Sequence, residues 1–285
     1  MTALSTIKKS ETIPLPSPFV SDDKIRLSDY HMHTEASMDS EENILNTCSA
    51  AVKAGLAEIA VTDHFDCGYP ECRTVLSKSY PSIEHAALEF GPQLAVKRGI
   101  EIGQATQYPD DAKFALDNYK FDFILGSMHN IRDHMDFYWM EHEDDPEELM
   151  KLYFDELIEM CENCDFDVLA HLTYPMCYKA FLGKIDITLY DKEITRIFRL
   201  LAESGRGLEI NTAGLRNPAF NLLSPTAELV RLFKTLGGEI ITFGSDAHKA
   251  CDVGAGFTQA LEAAKSAGFT QYATYTDRTP SFVKF

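Results

Sequence analysis

Two histidines one residue apart, His31 and His33 in Ser-Asp-Tyr-His-Met-His-Thr, carry the first chemical signal of the chain. On an extended backbone, residues i and i+2 project to one face, so both imidazoles aim at one spot, the geometry a shared metal ion needs. The spacing returns near the other end as Asp246-Ala247-His248, which closes the apolar run Glu-Ile-Ile-Thr-Phe-Gly-Ser-Asp. Between these pairs, His64 ends Ile-Ala-Val-Thr-Asp-His, His129 ends Phe-Ile-Leu-Gly-Ser-Met-His and His171 ends Asp-Val-Leu-Ala-His. A lone histidine after an apolar run is usually a rim residue; three in the same register favour a functional cluster. Glu101 interrupts Gly-Ile-Glu-Ile-Gly, where a carboxylate is costly unless paired or metal-bound. Asp39, in the loop after His33, is either a further ligand or the N-cap of a helix expected from Glu41.

Imidazoles and carboxylates without cysteine suit Zn, Mn or Fe rather than a structural thiolate site. His31, His33, Asp39, His64, Glu101, His129, His171, Asp246 and His248 exceed what one ion can use. A cluster of two or three divalent ions follows, with Glu101 suited to bridging. Such clusters activate water at neutral pH and polarise phosphoryl oxygens, which is phosphoester hydrolysis chemistry. Arg216, ending Glu-Ile-Asn-Thr-Ala-Gly-Leu-Arg, is the candidate to clamp a substrate phosphate with two hydrogen bonds. His85, His134 and His142 lack such context and read as surface residues, and the acidic run from Glu141 to Asp145 as a solvated face. Cys161 and Cys164 form a C-x-x-C with no second pair, and Cys67 and Cys72 read as loop thiols.

The elements that position these residues follow from the apolar pattern. Short runs near 27–33, 57–62, 98–103, 121–128, 166–171, 206–211 and 238–244 read as strands. Amphipathic stretches near 41–54, 82–90, 110–119, 146–163, 188–204, 224–236 and 257–267 read as helices, with Ser224-Pro225 as an N-cap followed by Pro at the first helical position. Strand and helix alternating about seven times predict a parallel sheet. The chemical residues cluster at the carboxyl ends of the strands, and a barrel brings those ends to one mouth, so a closed sheet is expected. No Gly-rich phosphate loop follows a strand.

The formal charge of −18 excludes a protein built to grip long nucleic acid. No apolar run is long enough for a membrane span, and residues 1–28 lack the apolar core of a signal peptide. With seven cysteines scattered and odd in number, reduced thiols in the cytoplasm are expected. Nothing in the sequence sets the oligomeric state.

Taken in order, H-x-H, T-D-H, a Glu inside a strand, G-S-x-H, A-H, E-I-N-T-x-G-L-R and G-S-D-A-H resemble the polymerase and histidinol phosphatase (PHP) superfamily over residues 28 to 250, nearest to its histidinol-phosphate phosphatase branch. The resemblance implies a single-domain distorted (β/α)7 barrel over 28–285, with 1–27 as an N-terminal extension of unassigned role. It implies one ion on His31, His33, Glu101 and Asp246, a second on Glu101, His129 and His171, and a third on Asp39, His64 and His248. Asp246 or water would manage protons, and Arg216 matches a phosphate-contacting arginine. Where many members carry a second phosphate-binding arginine after the A-H motif, this chain offers only Lys179. The implied reaction is hydrolysis of a small phosphomonoester, histidinol phosphate of histidine biosynthesis first. The rival readings are another small phosphate or a nucleotide as substrate and, from a different class, a non-catalytic metal- or ligand-binding barrel.

Overall fold

The computed structural model describes residues 26–285, so most of the 1–27 extension lies outside the described residues. Eight short strands build the central sheet: β1 (Ser28–Asp29), β2 (Glu58–Val61), β3 (His64–Asp66), β4 (Ala95–Gly103), β5 (Phe123–Ser127), β6 (Val168–Leu169), β7 (Gly207–Asn211) and β8 (Ile241–Gly244). All pair in parallel, in the order β1-β2-β4-β5-β6-β7-β8, with β3 also against β4. β2 and β3 are one stave broken at Thr62-Asp63, since both lie along β4. The ring closes where the chain after β1 meets β8: Tyr30 donates its N–H to the Phe243 carbonyl at 2.8 Å, Asp246 to His31 at 2.8 Å and His33 to Ala247 at 2.9 Å. Seven staves therefore form the expected barrel.

Alternation along the staves sorts the side chains. Phe123, Leu125, Val168 and Ala170 join Tyr30 and Ala60 in an apolar plug inside the barrel, while the intervening Ile124 and Leu169 face the helices. Further towards the carboxyl ends the interior turns polar, with Glu101 on β4 and Glu209 on β7. Around the sheet lie α1 (Ile44–Ala54), α2 (Cys72–Phe90), α3 (Pro109–Asn118), α4 (Pro146–Asn163), α5 (Asp191–Glu203), α6 (Ala227–Thr235) and α7 (Phe257–Ser266). α5 shows why they dock: Ile194, Ile197, Phe198 and Leu201 form one buried stripe at helical spacing. Among the described residues no helix is long and apolar enough to cross a membrane.

Four local expectations change. α2 begins at Cys72, so Cys72 opens a helix, and both it and Cys67 are buried rather than loop thiols. α6 begins at Ala227 with Thr226 as N-cap, because Ser224 is occupied elsewhere, exchanging backbone hydrogen bonds with Asn211 and holding Thr173 with its hydroxyl. Asn43, not Asp39, caps α1, accepting the Leu45 N–H at 2.9 Å. Finally, an antiparallel hairpin of β9 (Gln271–Thr276) and β10 (Thr279–Lys284) follows α7. It closes the amino-terminal end of the barrel: Ala273 and Tyr275 complete the apolar plug, and Arg278 pairs with Asp165 and Asp167 ahead of β6.

Candidate metal centre

At the opposite, carboxyl-terminal mouth, Glu101 is fully buried and meets imidazoles on both carboxylate oxygens. His129 and His171 place Nε2 at 3.2 and 3.0 Å from Oε1. His31 Nε2, His33 Nε2 and His64 Nδ1 lie 3.3, 3.7 and 2.8 Å from Oε2. Asp246 Oδ1 sits 3.2 Å from His33 and 3.6 Å from His31, so it shares the space on the Oε2 side. On the rim, Asp39 Oδ2 is 3.0 Å from His248 Nε2 and 3.3 Å from His64 Nε2. The His33 ring is stacked between those of His64 and His248, with centroids 4.0 and 4.2 Å away. All nine expected ligands thus converge. Asp246 does so with a left-handed backbone, φ 52°, a conformation aspartate tolerates better than most residues.

The outer nitrogens explain how the rings are aimed. Glu209, an acceptor only when ionised, takes a hydrogen bond from His31 Nδ1 at 2.7 Å, so the proton sits on Nδ1 and the Nε2 lone pair faces the cluster. Asp66 does the same for His129 at 2.8 Å, and the Asp246 carbonyl for His248 at 3.2 Å. Ser37 donates its one hydroxyl proton to Asp63 at 2.8 Å, so towards His33 Nδ1, 3.4 Å away, it acts as acceptor.

This geometry leaves His31 Nε2, His33 Nε2, His64 Nδ1 and Glu101 Oε2 buried without any hydrogen-bond partner. Burying four polar atoms unpaired is expensive, and cations would satisfy them: His31, His33 and Glu101 offer one group of close donor atoms and His64, Glu101 and His129 another. The donor set of imidazole and carboxylate fits a borderline transition metal. The electrostatics agree. Burial opposes protonation of His31, but Glu209, Asp246 and Glu101 outweigh it and hold the ring well above its ordinary range. Burial likewise opposes charge on His129, yet Asp66 and Glu101 push it up to about 10. His33, buried and facing His64 and His248, is pushed down to about 3. Against the burial penalty, His31, His129 and His64 hold Glu101 well below the carboxylate range, and His31 with His33 does the same for Asp246. The carboxylates demand positive charge at this spot, and a divalent ion supplies it in competition with protons.

The two expected phosphate contacts are placed differently. Arg216 lies beside the cluster, but its guanidinium donates to the Ser245 and Asp246 carbonyls at 2.8 and 2.9 Å, with Asp252 3.7 Å from Nε. Lys179 is exposed and pairs with Glu141. His85, His134 and His142 are exposed, as expected. Missing from the sequence reading are Glu209, Asp66 and Asp63. Glu209 carried a readable signal, since Gly-Leu-Glu-Ile-Asn breaks an apolar strand just as Glu101 does.

A parallel seven-stave barrel with a histidine-carboxylate cluster at its carboxyl mouth defines a metal-binding α/β barrel of the hydrolase kind. The PHP domain family model matches residues 29–213, and the chain belongs to that family. Histidinol-phosphatase of Lactococcus lactis subsp. lactis is 29% identical over 256 residues, covering 87% of this chain and 94% of that one. A protein named probable histidinol-phosphatase in Clostridium acetobutylicum is 29% identical over 245 residues, covering 84% and 92%. The crystal structure of histidinol phosphate phosphatase from Lactococcus lactis, complexed with zinc, L-histidinol and phosphate, superposes with a TM-score of 0.75 at 28% identity, over 90% of this chain and 99% of that one.

Proposed function

We propose that the protein is a metal-dependent phosphomonoesterase that hydrolyses L-histidinol phosphate to L-histidinol and phosphate in histidine biosynthesis. One observation carries the reading: a fully buried Glu101 whose Oε1 is met by His129 and His171 and whose Oε2 faces unpaired nitrogens of His31, His33 and His64, an arrangement suited to bridging ions. The likeness to a phosphatase solved with zinc, histidinol and phosphate supports the substrate.

His31, His33, Asp246 and Glu101 Oε2 would hold one ion, Glu101 Oε1 with His129 and His171 a second, and Asp39, His64 and His248 a third. Two or three such ions, zinc, manganese or iron, activate water at neutral pH and neutralise phosphoryl charge when bound. The chain's own residues set the stage for this. Glu209 and Asp66 fix the tautomers of His31 and His129, so the rings need no reorganisation when substrate arrives. Asp246, an ionised carboxylate whose Oδ2 is held by the Asn211 amide at 3.3 Å, is placed to take a proton from the attacking water and pass it to the departing alkoxide. Arg216 holds the Ser245-Asp246 turn; to clamp a phosphate it must release two carbonyls, and Lys179 must leave Glu141.

Residues 28–285 act as one catalytic domain in this reading. The seven cysteines are all free thiols, which suits a protein working in the reducing cytoplasm. The test is phosphate release from histidinol phosphate beside a panel of nucleotides. Preference for a nucleotide overturns the substrate, and no release from any small phosphomonoester overturns the class.

A further inference from the structure

Beside His129, the rim of the mouth carries a carboxylate with no cationic partner among the described residues. Asp136 precedes the short 3₁₀ turn Phe137–Trp139, and its Oδ1 accepts the Tyr138 N–H at 2.8 Å and the Tyr174 hydroxyl at 3.4 Å. The Phe137 N–H donates to the His129 carbonyl at 3.0 Å, which ties this turn to a ligand of the cluster. Tyr174 packs its ring 4.7 Å from that of His171 and 4.9 Å from that of His129, and Tyr178 continues the wall at 4.8 Å.

The turn itself does not call for a negative charge, because asparagine caps as well as aspartate does. A carboxylate beside a phenol hydroxyl on the rim of the site is recognition chemistry for an alkylammonium, which gains charge-assisted hydrogen bonds.

We propose that Asp136, beside the Tyr174 hydroxyl, seats a primary ammonium on the leaving group and so makes the site selective for amino-alcohol phosphates. This rests on the phosphatase reading above and names the acid that recognises the amine. It assigns Asp136 to specificity, apart from the ligands that assemble the ions.

The experiment compares the metal-loaded wild type with Asp136→Asn on two esters: histidinol phosphate and the same ester with hydrogen in place of the amino group. p-Nitrophenyl phosphate is the common reference, and metal content is measured in the same samples. The wild type should favour the amine-bearing ester, and in the variant the ratio of the two kcat/KM values should fall about 10- to 100-fold, mainly through KM. A ratio unchanged by the substitution, or a wild type indifferent to the amino group, overturns the inference while phosphate release leaves the phosphatase reading standing. A wild type that hydrolyses none of the three refutes that reading, and the inference with it.

Discussion

Glu209→Gln isolates the support of the cluster from its ligands. In the wild type Glu209 is 1% exposed, accepts from His31 Nδ1 through Oε1 at 2.7 Å and from the His171 N–H through Oε2 at 2.7 Å. Glutamine keeps the shape but has a single acceptor, so one of two short hydrogen bonds survives and the amide NH2 faces a donor in the other. Losing one charge-assisted bond and leaving a buried donor unpaired costs about 2–4 kcal/mol of stability. Because His31 is the ring that loses its anchor, zinc affinity should also drop about 10- to 100-fold. Competition with a chromophoric chelator reads the affinity, and the urea midpoint reads the stability. Wild-type values for both would refute the claim that Glu209 orients the metal-facing rings.

Gly244 exists for the same reason: a Cβ there would stand 1.9 Å from Glu209 Oε1 and 2.6 Å from the His31 Cβ. Gly244→Ala should therefore weaken zinc binding as strongly as Glu209→Gln, measured by the same chelator competition, and unchanged affinity would contradict it. Arg216→Lys keeps the charge but not the fork on the Ser245 and Asp246 carbonyls; metal affinity should fall about 10-fold, whereas a rise in KM alone would return Arg216 to phosphate binding. At the foot of the barrel, burial opposes ionisation of Asp122, but its bonds from the Arg98 side chain and backbone and from the Asp277 N–H hold the carboxyl below its ordinary value. A depressed carboxyl lends stability above its unfolded pKa of about 3.9 and loses it as pH falls through the folded value. Asp122→Asn should thus lower the urea midpoint at pH 7 and lose less than the wild type on acidification to about pH 3, a difference that parallel midpoint curves would disprove.

The barrel and its convergent histidines and carboxylates were legible because both leave periodic traces. Ile-Glu-Ile around Glu101 and the strand-end histidines stand out against apolar staves, and a parallel sheet sends those ends to one mouth. The support was less visible. Asp66 follows a break at Thr62-Asp63 that splits its stave, and Asp63 works through Ser37, Thr34 and Ser79, contacts that only the closed ring creates. The hairpin was hidden for another reason. Its turn residues Asp277 and Arg278 both have positive φ, where Asn-Gly is the usual signature. Arg278 is held there by Asp165 and Asp167, a tertiary reason no local pattern reveals. Arg216 was legible as a residue near the cluster, but its hold on the Ser245 and Asp246 carbonyls, which come from the neighbouring stave, was not.

The central claim is that the histidine-carboxylate cluster holds the ions that drive phosphate release. Its most direct test is elemental analysis of the purified protein together with phosphate release from histidinol phosphate, before and after chelation and for Glu101→Gln. The account predicts two or three zinc, manganese or iron ions per chain, activity lost on chelation and restored by metal, and loss of both ions and turnover in the variant. Full turnover by Glu101→Gln, or by metal-free protein, would contradict it.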